Sequence, residues 1–509
     1  MGENINKDIC LTIQMNGDMD ICNGNHLCEP TFHSHKSPTH GQINQQNFTS
    51  EEEWRQYMKN EISNASTPLV SKGPKISMAP QALLEVKPQS YCPRILNIGP
   101  LNQMLGRSPI DKCKALCVKK FMERHNLLNV EDLMEKFLSD LDHSLKGNYS
   151  NPPDYNFEST QLLFTIDAVF ILEFLLFMKN DCRSEDDKGT RYLYTFFNND
   201  ITHTQMCRDL FLIGNQIPMS FLKKIAKISN LKTAETPTNH SSGTSSLKDY
   251  LNHIVFINHP FFGSQFHHRN SQASWMQTVN FLNCNHLLDC LYVSCTQPPK
   301  EPLRQFSPPK LLNVFQKTTK AEGSKKKYNR LPNASQLLKA GIRFKACEGN
   351  ISVIKYNKRK FQLDLPQIVV ADNTEDILRN LLAHEQTSKE GGEFCMYAFI
   401  MDSLIDTPED LAILTKSHVI ENLLGSDERL VQMWNDMCRN LGAQPCKKWE
   451  DITRDVMGHY NSHWRILYVE FCAKFFSRPW LWISVIGAFV LLLFSFLQTI
   501  YTVLGYYNG

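Results

Sequence analysis

The C-terminal stretch places the strongest constraint on what this chain can form. From Pro479 to Gly509 the sequence contains no Asp, Glu, Lys or Arg, and Leu481–Val503 is almost wholly apolar. A bilayer core about 30 Å thick requires roughly 20 apolar helical residues, which this run supplies. Aromatic side chains that favour the membrane interface stand at its two ends: Trp480, Trp482, Tyr501 and Tyr506. A buried core helix is the alternative, but core helices this long and uncharged are uncommon. We therefore predict one transmembrane helix over residues 479–506.

The charges beside this span predict its orientation. Lys474 and Arg478 precede it and no charged residue follows it. The positive-inside rule then puts the large N-terminal region on the cytosolic face of the plasma membrane or an endomembrane, tethered by a C-terminal anchor. Residues 1–20 lack the apolar run of a secretory signal, which agrees. Six glycosylation sequons would matter if the orientation were reversed: Asn47, Asn64, Asn148, Asn239, Asn333 and Asn350.

Composition limits the classes of function. Lys and Arg total 54 against 52 Asp and Glu, so the chain has no general attraction for nucleic acid. A hydrophobic content of 42% can support a real core. The sixteen cysteines form no Cys-x-x-Cys pair and are predicted to be reduced and structural. His33, His35 and His40 lack fixed spacing and acidic partners, so we expect solvated histidines in place of a metal site, and no cofactor.

The sequence divides into five predicted segments. A polar arm, disordered except for a short helix at Glu51–Ile62, precedes two helical halves that are separated by a Pro- and Lys-rich linker. The second half carries a small sheet and leads into the membrane helix. The boundaries are 1–84 for the arm, 85–296 for the first half, 297–330 for the linker, 331–478 for the second half and 479–506 for the span.

One internal segment resembles a second span. Leu162–Met178 is apolar on every side, but Asp167 and Glu173 would each cost several kcal/mol at mid-bilayer. We therefore predict a central buried helix whose carboxylates are paired or near an edge. Two amphipathic helices, opening at Ser108-Pro109 and at Asn129, are expected to pack on it.

Cap and turn signals predict the remaining elements. Asn215 and Gln216 follow an apolar stretch and are expected to cap helix ends or bond the backbone across a break. Three alternating runs predict a small antiparallel sheet: Ile342–Lys345, Ile351–Tyr356 and Phe361–Leu365. Further helices are predicted at His286–Tyr292, at Thr374–Glu385, after Thr407, after Ser426, and from Trp449 to Phe476, the last running into the anchor.

Local catalytic motifs are missing from the sequence. It contains no phosphate loop, dinucleotide glycines, nucleophile elbow or paired zinc cysteines. His384-Glu385-Gln386 lacks the second histidine of a zinc helix. Triads assembled from distant residues stay open, because their members need not be close in sequence.

The ordered motifs together resemble the plant family called domain of unknown function 247, over residues 85–509. The residues that carry the resemblance, which we predict to be structural or interaction residues, are Tyr91, Pro93, Gly99, Pro100, Asp167, Asp209, Asn215, Gln216, Pro218, Arg379, Asn380, Glu385 and Gln386. The chain departs from the family at Gly214, where Glu is usual, at Ala168, where Gly is usual, and at Leu101-Asn102, which replaces an aromatic-His pair. The chain therefore resembles a divergent copy.

The resemblance implies a mainly helical, single-pass membrane protein without an established enzymatic activity, in a family with members implicated in grass self-incompatibility. Our first hypothesis is a recognition or signalling module acting through contacts with an unknown protein partner. The second is an enzyme using a buried carboxylate, Asp167 or Asp209. A deep polar pocket joining Asp209, Asn215 and Glu385 would favour the enzyme, and an exposed apolar patch without one would favour the binding module.

Overall fold

The computed structural model describes residues 51–64, 76–102, 109–138, 148–150, 157–179, 193, 195–231, 246–261, 279–298, 330–388, 391–442, 446–461 and 479–508. The chain divides into two compact units, Met1–Ser71 and Lys72–Gly509. In the first unit the described element is α1 (Glu51–Asn64), at the position of the predicted short helix. The predicted linker lies almost entirely outside the described residues, as do His33, His35, His40 and residues 462–478.

The fold begins before the predicted boundary at residue 84. Ile76 donates its backbone N–H to the carbonyl of Asn148, and α2 (Gln81–Leu84) follows. Ile76, Ala79 and Leu83 are buried in the apolar core. The end of the arm is therefore corrected to a point before residue 76, because these side chains are part of the packed region.

The first half of the second unit consists of helices packed around one central helix. They are α3 (Pro109–Arg124), α4 (Val130–Leu138), α5 (Phe157–Met178), α6 (Asp200–Asp209), α7 (Met219–Ile228), α8 (Leu247–Ile257) and α9 (Leu287–Thr296). The central helix α5 packs against α3, α4, α7 and α8. Asn129 accepts the Asp132 N–H at 2.7 Å, so the predicted start of α4 is confirmed.

The central helix is buried as the sequence predicts. Asp167 is fully buried and pairs with Lys114 of α3 at 2.6 Å. Glu173 lies nearer the surface, where Arg124 of α3 donates to both of its carboxylate oxygens at 2.9 Å. Both acidic residues on this apolar helix are therefore matched by a cation on the neighbouring helix.

The second half combines helices with two small sheets. Its elements are α10 (Ala334–Lys339), β1 (Arg343–Cys347), β2 (Lys355–Asn357), β3 (Gln362–Pro366), β4 (Ile368–Val370), α11 (Thr374–Ser388), α12 (Glu393–Leu404), α13 (Pro408–Lys416), β5 (Ile420–Asn422), α14 (Asp427–Met437) and α15 (Lys447–Tyr460). Thr407 and Asp410 form the capping box of α13, and Ser426 caps α14, both at predicted helix starts. The prediction of a mainly helical protein with a small sheet is confirmed.

The predicted antiparallel sheet is instead mixed. Its strand order is β1-β3-β2, in which β3 runs parallel to β1 and antiparallel to β2. The prediction of a wholly antiparallel sheet is therefore wrong: the first and third strands become neighbours, and the short turn Ile351–Val353 interrupts the predicted middle strand. A second sheet, of parallel β4 and β5, was not predicted.

The C-terminal helix α16 (Pro479–Asn508) contrasts with the rest of the described chain. Its segment Ile483–Val503 is long and apolar enough to cross a membrane, and none of it is buried. Tyr501 is 74% exposed. Trp480, Trp482 and Tyr506 belong to this helix, but their side chains lie outside the described part. An apolar helix exposed over 21 residues fits a membrane anchor.

Candidate functional site

Residues 89–99, which we call the clamp segment, run between the two halves, and all but Gln89 and Arg94 are buried or half-buried. Asp209, the last residue of α6, holds the middle of this segment. Its Oδ2 accepts the backbone N–H groups of Arg94, Ile95 and Leu96 at 2.9, 2.8 and 3.0 Å. Burial raises the pKa of Asp209, and these N–H donors together with Arg208 oppose that rise. One carboxylate oxygen thus binds three consecutive backbone N–H groups.

Arg208 extends this contact into the second half. Its Nε donates to Asp376 of α11 at 2.6 Å, and its guanidinium also donates to Asp209 Oδ1 at 2.6 Å. The remaining donors reach the carbonyls of Cys92 and Gln89 at 2.9 and 2.8 Å. Arg208 is 1% exposed, so its charge is neutralised entirely inside the protein. Sequence reasoning missed Arg208 and Asp376; the signal was their adjacency to Asp209 and to the Arg379-Asn380 pair.

Asn215 uses its whole side-chain amide on the clamp segment and α6. Its Oδ1 accepts the Ile98 N–H at 2.7 Å, and its Nδ2 donates to the carbonyls of Leu96 and Asp209 at 2.8 Å. These bonds replace helix bonds that α6 cannot make beyond its last turn. The prediction that Asn215 bonds the backbone across a break is confirmed.

Gln216 plays the same part towards α9. Its Nε2 donates to the carbonyls of Leu210 and Leu212 at 2.7 and 2.8 Å, and its Oε1 accepts the Leu288 N–H at 3.1 Å. The Gln216 carbonyl in turn accepts the Tyr149 hydroxyl at 3.0 Å. The prediction for Gln216 is therefore also confirmed.

Gly99 and Asp167 close the far end of the clamp segment. Gly99 has a φ of +69°, and an added Cβ would lie 2.6 Å from the Gln216 carbonyl oxygen, which explains the glycine. Its N–H donates to Asp167 Oδ2 at 2.8 Å, while Asp167 Oδ1 accepts from Lys114. Lys114 also donates to the Asn97 carbonyl.

Helix α11 holds the near end of the segment. Asn380 accepts the Ile213 N–H at 2.9 Å and donates to the carbonyls of Ser90 and Asp376 at 2.8 and 2.7 Å. Arg379 pairs with Glu375 at 2.9 Å and lies beside Tyr91. Burial raises the pKa of Tyr91 to about 12, and the Arg379 charge opposes that rise.

The three motif prolines lie in or beside irregular segments. Pro93 and Pro100 lie within or directly after the clamp segment, and Pro100 is buried. Pro218 precedes α7, and the next residue, Met219, donates its N–H to the Asn285 carbonyl at 2.7 Å. Proline has a fixed φ and lacks an N–H donor, which suits Pro100 and Pro218 to the ends of segments.

We call the clamp segment together with the side chains that bind it (Lys114, Asp167, Arg208, Asp209, Asn215, Gln216 and Asn380) the clamp; Glu385 and Gln386 lie apart from it. Glu385 accepts the Tyr292 hydroxyl at 2.7 Å and the backbone N–H groups of Phe394 and Cys395 at 2.9 and 2.7 Å. Gln386 donates to Cys395 Sγ at 3.1 Å and to the Gly442 carbonyl at 2.8 Å. These bonds tie α11 to α9, to α12 and to the loop after α14. They do not join Glu385 to Asp209 and Asn215.

A second buried polar group lies close to Glu385 on α9 and α11. His384 Nε2 lies 3.4 Å from Asp289 Oδ1, and the two rings of His286 and His384 are 5.2 Å apart. Burial raises the pKa of Asp289, but the hydrogen bond from His384 and the nearby histidine charges outweigh burial and lower it to about 2. Among the described residues, no group of three or more His, Cys, Asp or Glu side chains is arranged to hold a metal ion.

The carboxylates of the clamp already accept hydrogen bonds from the protein itself, which limits what else they can bind. Each oxygen of Asp167 and Asp209 accepts at least one hydrogen bond from a fixed donor. A cavity of about 30 Å³ has room for roughly two water molecules, and it is lined by residues outside the clamp, including Ile354, Met396 and Trp449. The clamp is thus arranged to fasten two halves of a fold.

Two of the departures from the family pattern are neighbours. A Cβ added at Gly214 would lie 2.6 Å from Met78 Sδ and 3.2 Å from Asn102 Nδ2. A larger residue at position 214 would displace Met78. Gly214 and Asn102 therefore lie beside each other in the fold, although they are 112 positions apart in the sequence.

Comparison with known proteins gives a consistent result. Residues 76–494 match the family DUF247, described as "Plant protein of unknown function". The UPF0481 protein At3g02645 of Arabidopsis thaliana is 24% identical, with 82% of this chain and 88% of the relative covered. The UPF0481 protein At3g47200 of the same plant is 22% identical, with 85% and 87% covered. No solved structure matches.

Proposed function

The chain belongs to the plant DUF247 family, and from this premise we propose that it is a membrane-anchored recognition or signalling module that acts through protein contacts and not by catalysis. The proposal rests on one observation: the buried polar side chains of the clamp already have hydrogen-bond partners within the protein. The polar side-chain atoms of Asp167, Asp209, Asn215 and Gln216 bond to the backbone of the same protein or, for one oxygen of each aspartate, to the side chains of Lys114 and Arg208. We infer that the function lies on the surface of the protein and not in this hydrogen-bonded interior.

The alternative is an enzyme using Asp167 or Asp209. A general base must lie within hydrogen-bond reach of its substrate, and an enclosed pocket usually surrounds it. Both carboxylates are 0% exposed and accept hydrogen bonds from groups of the protein itself, so a substrate could not reach them. This supports the binding module over the enzyme. Recognition of the self-incompatibility type is one role that family membership makes a candidate.

The membrane anchor and its side complete the proposal. Helix α16 exposes an uncharged apolar span, and Lys474 and Arg478 precede it. We infer that the large region faces the cytosol of a plasma membrane or endomembrane. The sequon at Asn350 supports this side: Asn350 is buried, and its Nδ2 donates to the carbonyls of Ser294 and Gln297 at 2.8 and 2.6 Å. A glycan on that nitrogen would be incompatible with the fold.

Proximity labelling in plant cells tests the partner. The full chain carries the labelling enzyme at its N-terminus, and the control is the same enzyme fused to residues 479–508 alone. We expect a reproducible set of proteins enriched over the control. Identical labelling by the two fusions would contradict a partner-binding region.

Topology is tested on the same cells. We expect protease to digest the large region in sealed right-side-out endomembrane vesicles, and glycosidase to leave its mobility unchanged. A protease-resistant region that shifts on deglycosylation would overturn the cytosolic assignment and move the search for partners to the cell surface.

A further inference from the structure

The three-stranded sheet presents one basic face. In the strand register, Lys345, Asp364 and Lys355 share one row across the sheet, and Arg343 lies two residues before Lys345 on the same strand. Side chains in register, and those two residues apart, lie on the same face of a sheet. Arg343, Lys345 and Lys355 are exposed, whereas Phe344 and Leu363 of the opposite face are buried.

The turn between β2 and β3 carries three more basic side chains at the end of the sheet where Arg343 lies, since the Arg343 N–H donates to the Phe361 carbonyl at 2.8 Å. Asn357 Oδ1 accepts the backbone N–H groups of Arg359 and Lys360, both at 3.1 Å, and this side-chain turn fixes the tip. Lys358, Arg359 and Lys360 are all exposed. We call the set Arg343, Lys345, Lys355, Lys358, Arg359 and Lys360 the basic sheet face. Glu348 and the buried Asp364 are the acidic residues among positions 343–364.

Most of this positive charge is left over after internal pairing. Lys355 lies 3.7 Å from Asp364, and Lys358 lies 2.8 Å from Asp455 of α15. In the described part of the chain, Arg343, Lys345, Arg359 and Lys360 form no ion pair. Four unpaired like charges on one small sheet raise the local positive potential and attract an anionic surface.

Chain connectivity keeps this face near the membrane. Helix α15 packs on β2, and His459 near its end lies against Phe361, with ring centroids 4.4 Å apart. Helix α15 ends at Tyr460 and α16 begins at Pro479. A connection of this length spans at most about 65 Å when fully extended. The tether therefore holds the basic sheet face at a high effective concentration beside the bilayer.

We propose that the basic sheet face docks on anionic lipid headgroups of the bilayer that holds α16. The inference rests on the proposed anchor and on its cytosolic orientation, because the cytoplasmic leaflet is the negatively charged one. Basic side chains close to an anionic bilayer surface are attracted to its headgroups within about a Debye length. An acidic protein surface is the competing occupant.

Lysine footprinting of the full chain in lipid nanodiscs tests the proposal. One preparation contains phosphatidylcholine alone, and the other also contains phosphatidylserine. We expect acylation of Lys345 and Lys360 to fall about threefold or more on the anionic discs, and the protection to disappear at about 0.5 M salt. Lys416 on α13, which is exposed, serves as the internal control and should react equally on both discs.

Charge reversal separates the surface from general effects. The variant Arg359→Glu/Lys360→Glu should lose the protection of Lys345, whereas Lys112→Glu/Lys119→Glu on the exposed side of α3 should retain it. Equal acylation of the unmodified chain on both discs would overturn the lipid inference and leave the anchor intact. Protection that needs an added protein extract in place of phosphatidylserine would also overturn it, in favour of an acidic partner. A chain that fails to enter nanodiscs at all would refute the anchor itself.

Discussion

Helices α5 and α16 are both long and apolar enough to cross a membrane, yet the fold treats them in opposite ways. The window Glu158–Met178 is 61% buried inside the protein, whereas Ile483–Val503 is not buried at all. Helix α5 carries Asp167 and Glu173, and α3 supplies Lys114 and Arg124 to meet them. Charged residues within an apolar helix therefore indicate a protein interior when a neighbouring helix supplies the opposite charge, because lipid offers no such partner.

Deleting residues 479–508, which removes α16, should have the largest effect of the changes proposed here, and the effect should be on membrane association. We expect complete release of the protein from membranes, since α5 is committed to the core and cannot replace the lost span. Alkaline carbonate extraction of the full and shortened chains provides the measurement. Retention of the shortened chain in the membrane pellet would mean that α5 can insert, and the contrast between the two helices would fail.

Removing the cation beside Asp167 should be the next largest change. Lys114→Met leaves a fully buried carboxylate uncompensated, so we expect the free energy of unfolding to fall by about 3–5 kcal/mol. Chemical denaturation of the full chain in detergent measures it. The control Lys119→Met, at an exposed position of the same helix, should change it by less than about 0.5 kcal/mol. Equal midpoints for the two variants would show that Asp167 does not depend on Lys114.

The clamp extends the same rule to neutral polar groups. Asn215→Ala or Gln216→Ala leaves several buried backbone groups without partners, and we expect each to lower the free energy of unfolding by about 1–3 kcal/mol. Gln432→Ala on the exposed face of α14 is the matched control. Midpoints unchanged from the parent chain would indicate that the motif is accessible to water and make a direct functional role more attractive.

The pair at the edge of α5 should matter least. Arg124 is 45% exposed on its side chain, so solvent screens its attraction to Glu173. We expect Arg124→Gln to cost about 1 kcal/mol or less at low salt, and less again at about 0.5 M salt. Denaturation at the two salt concentrations checks this. A loss as large as that of Lys114→Met would erase the distinction between the buried pair and the edge pair.

The sequence predicted local features well because their causes are local. The starts of α4, α13 and α14 follow from a cap residue and its neighbours, which a single stretch displays. The backbone-bonding roles of Asn215 and Gln216 were also predictable, since their residue type at a helix break implies them. The mainly helical class follows from the same periodic patterns.

The long-range features could not be predicted, for a physical reason. Lys114 is 53 positions from Asp167, and Asp376 is 168 positions from Arg208, so nothing in either stretch identifies its partner. The parallel pairing of β1 with β3 likewise joins strands that are not consecutive in the sequence, and the turn at Ile351–Val353 lies between them. Most residues of the site could therefore be predicted from the sequence, but few of the contacts between them could.

The clamp also imposes an order on synthesis. Asn380 bonds the carbonyl of Ser90, 290 positions earlier. At about 5–20 residues per second, translation separates the appearance of these two residues by on the order of 15–60 s. Asp209 reaches the segment first, while Arg208 must wait for Asp376. In a nascent chain that ends before α11, Arg208 therefore lacks its partner Asp376. We expect such a chain to stay bound to chaperones until the second half has been synthesised.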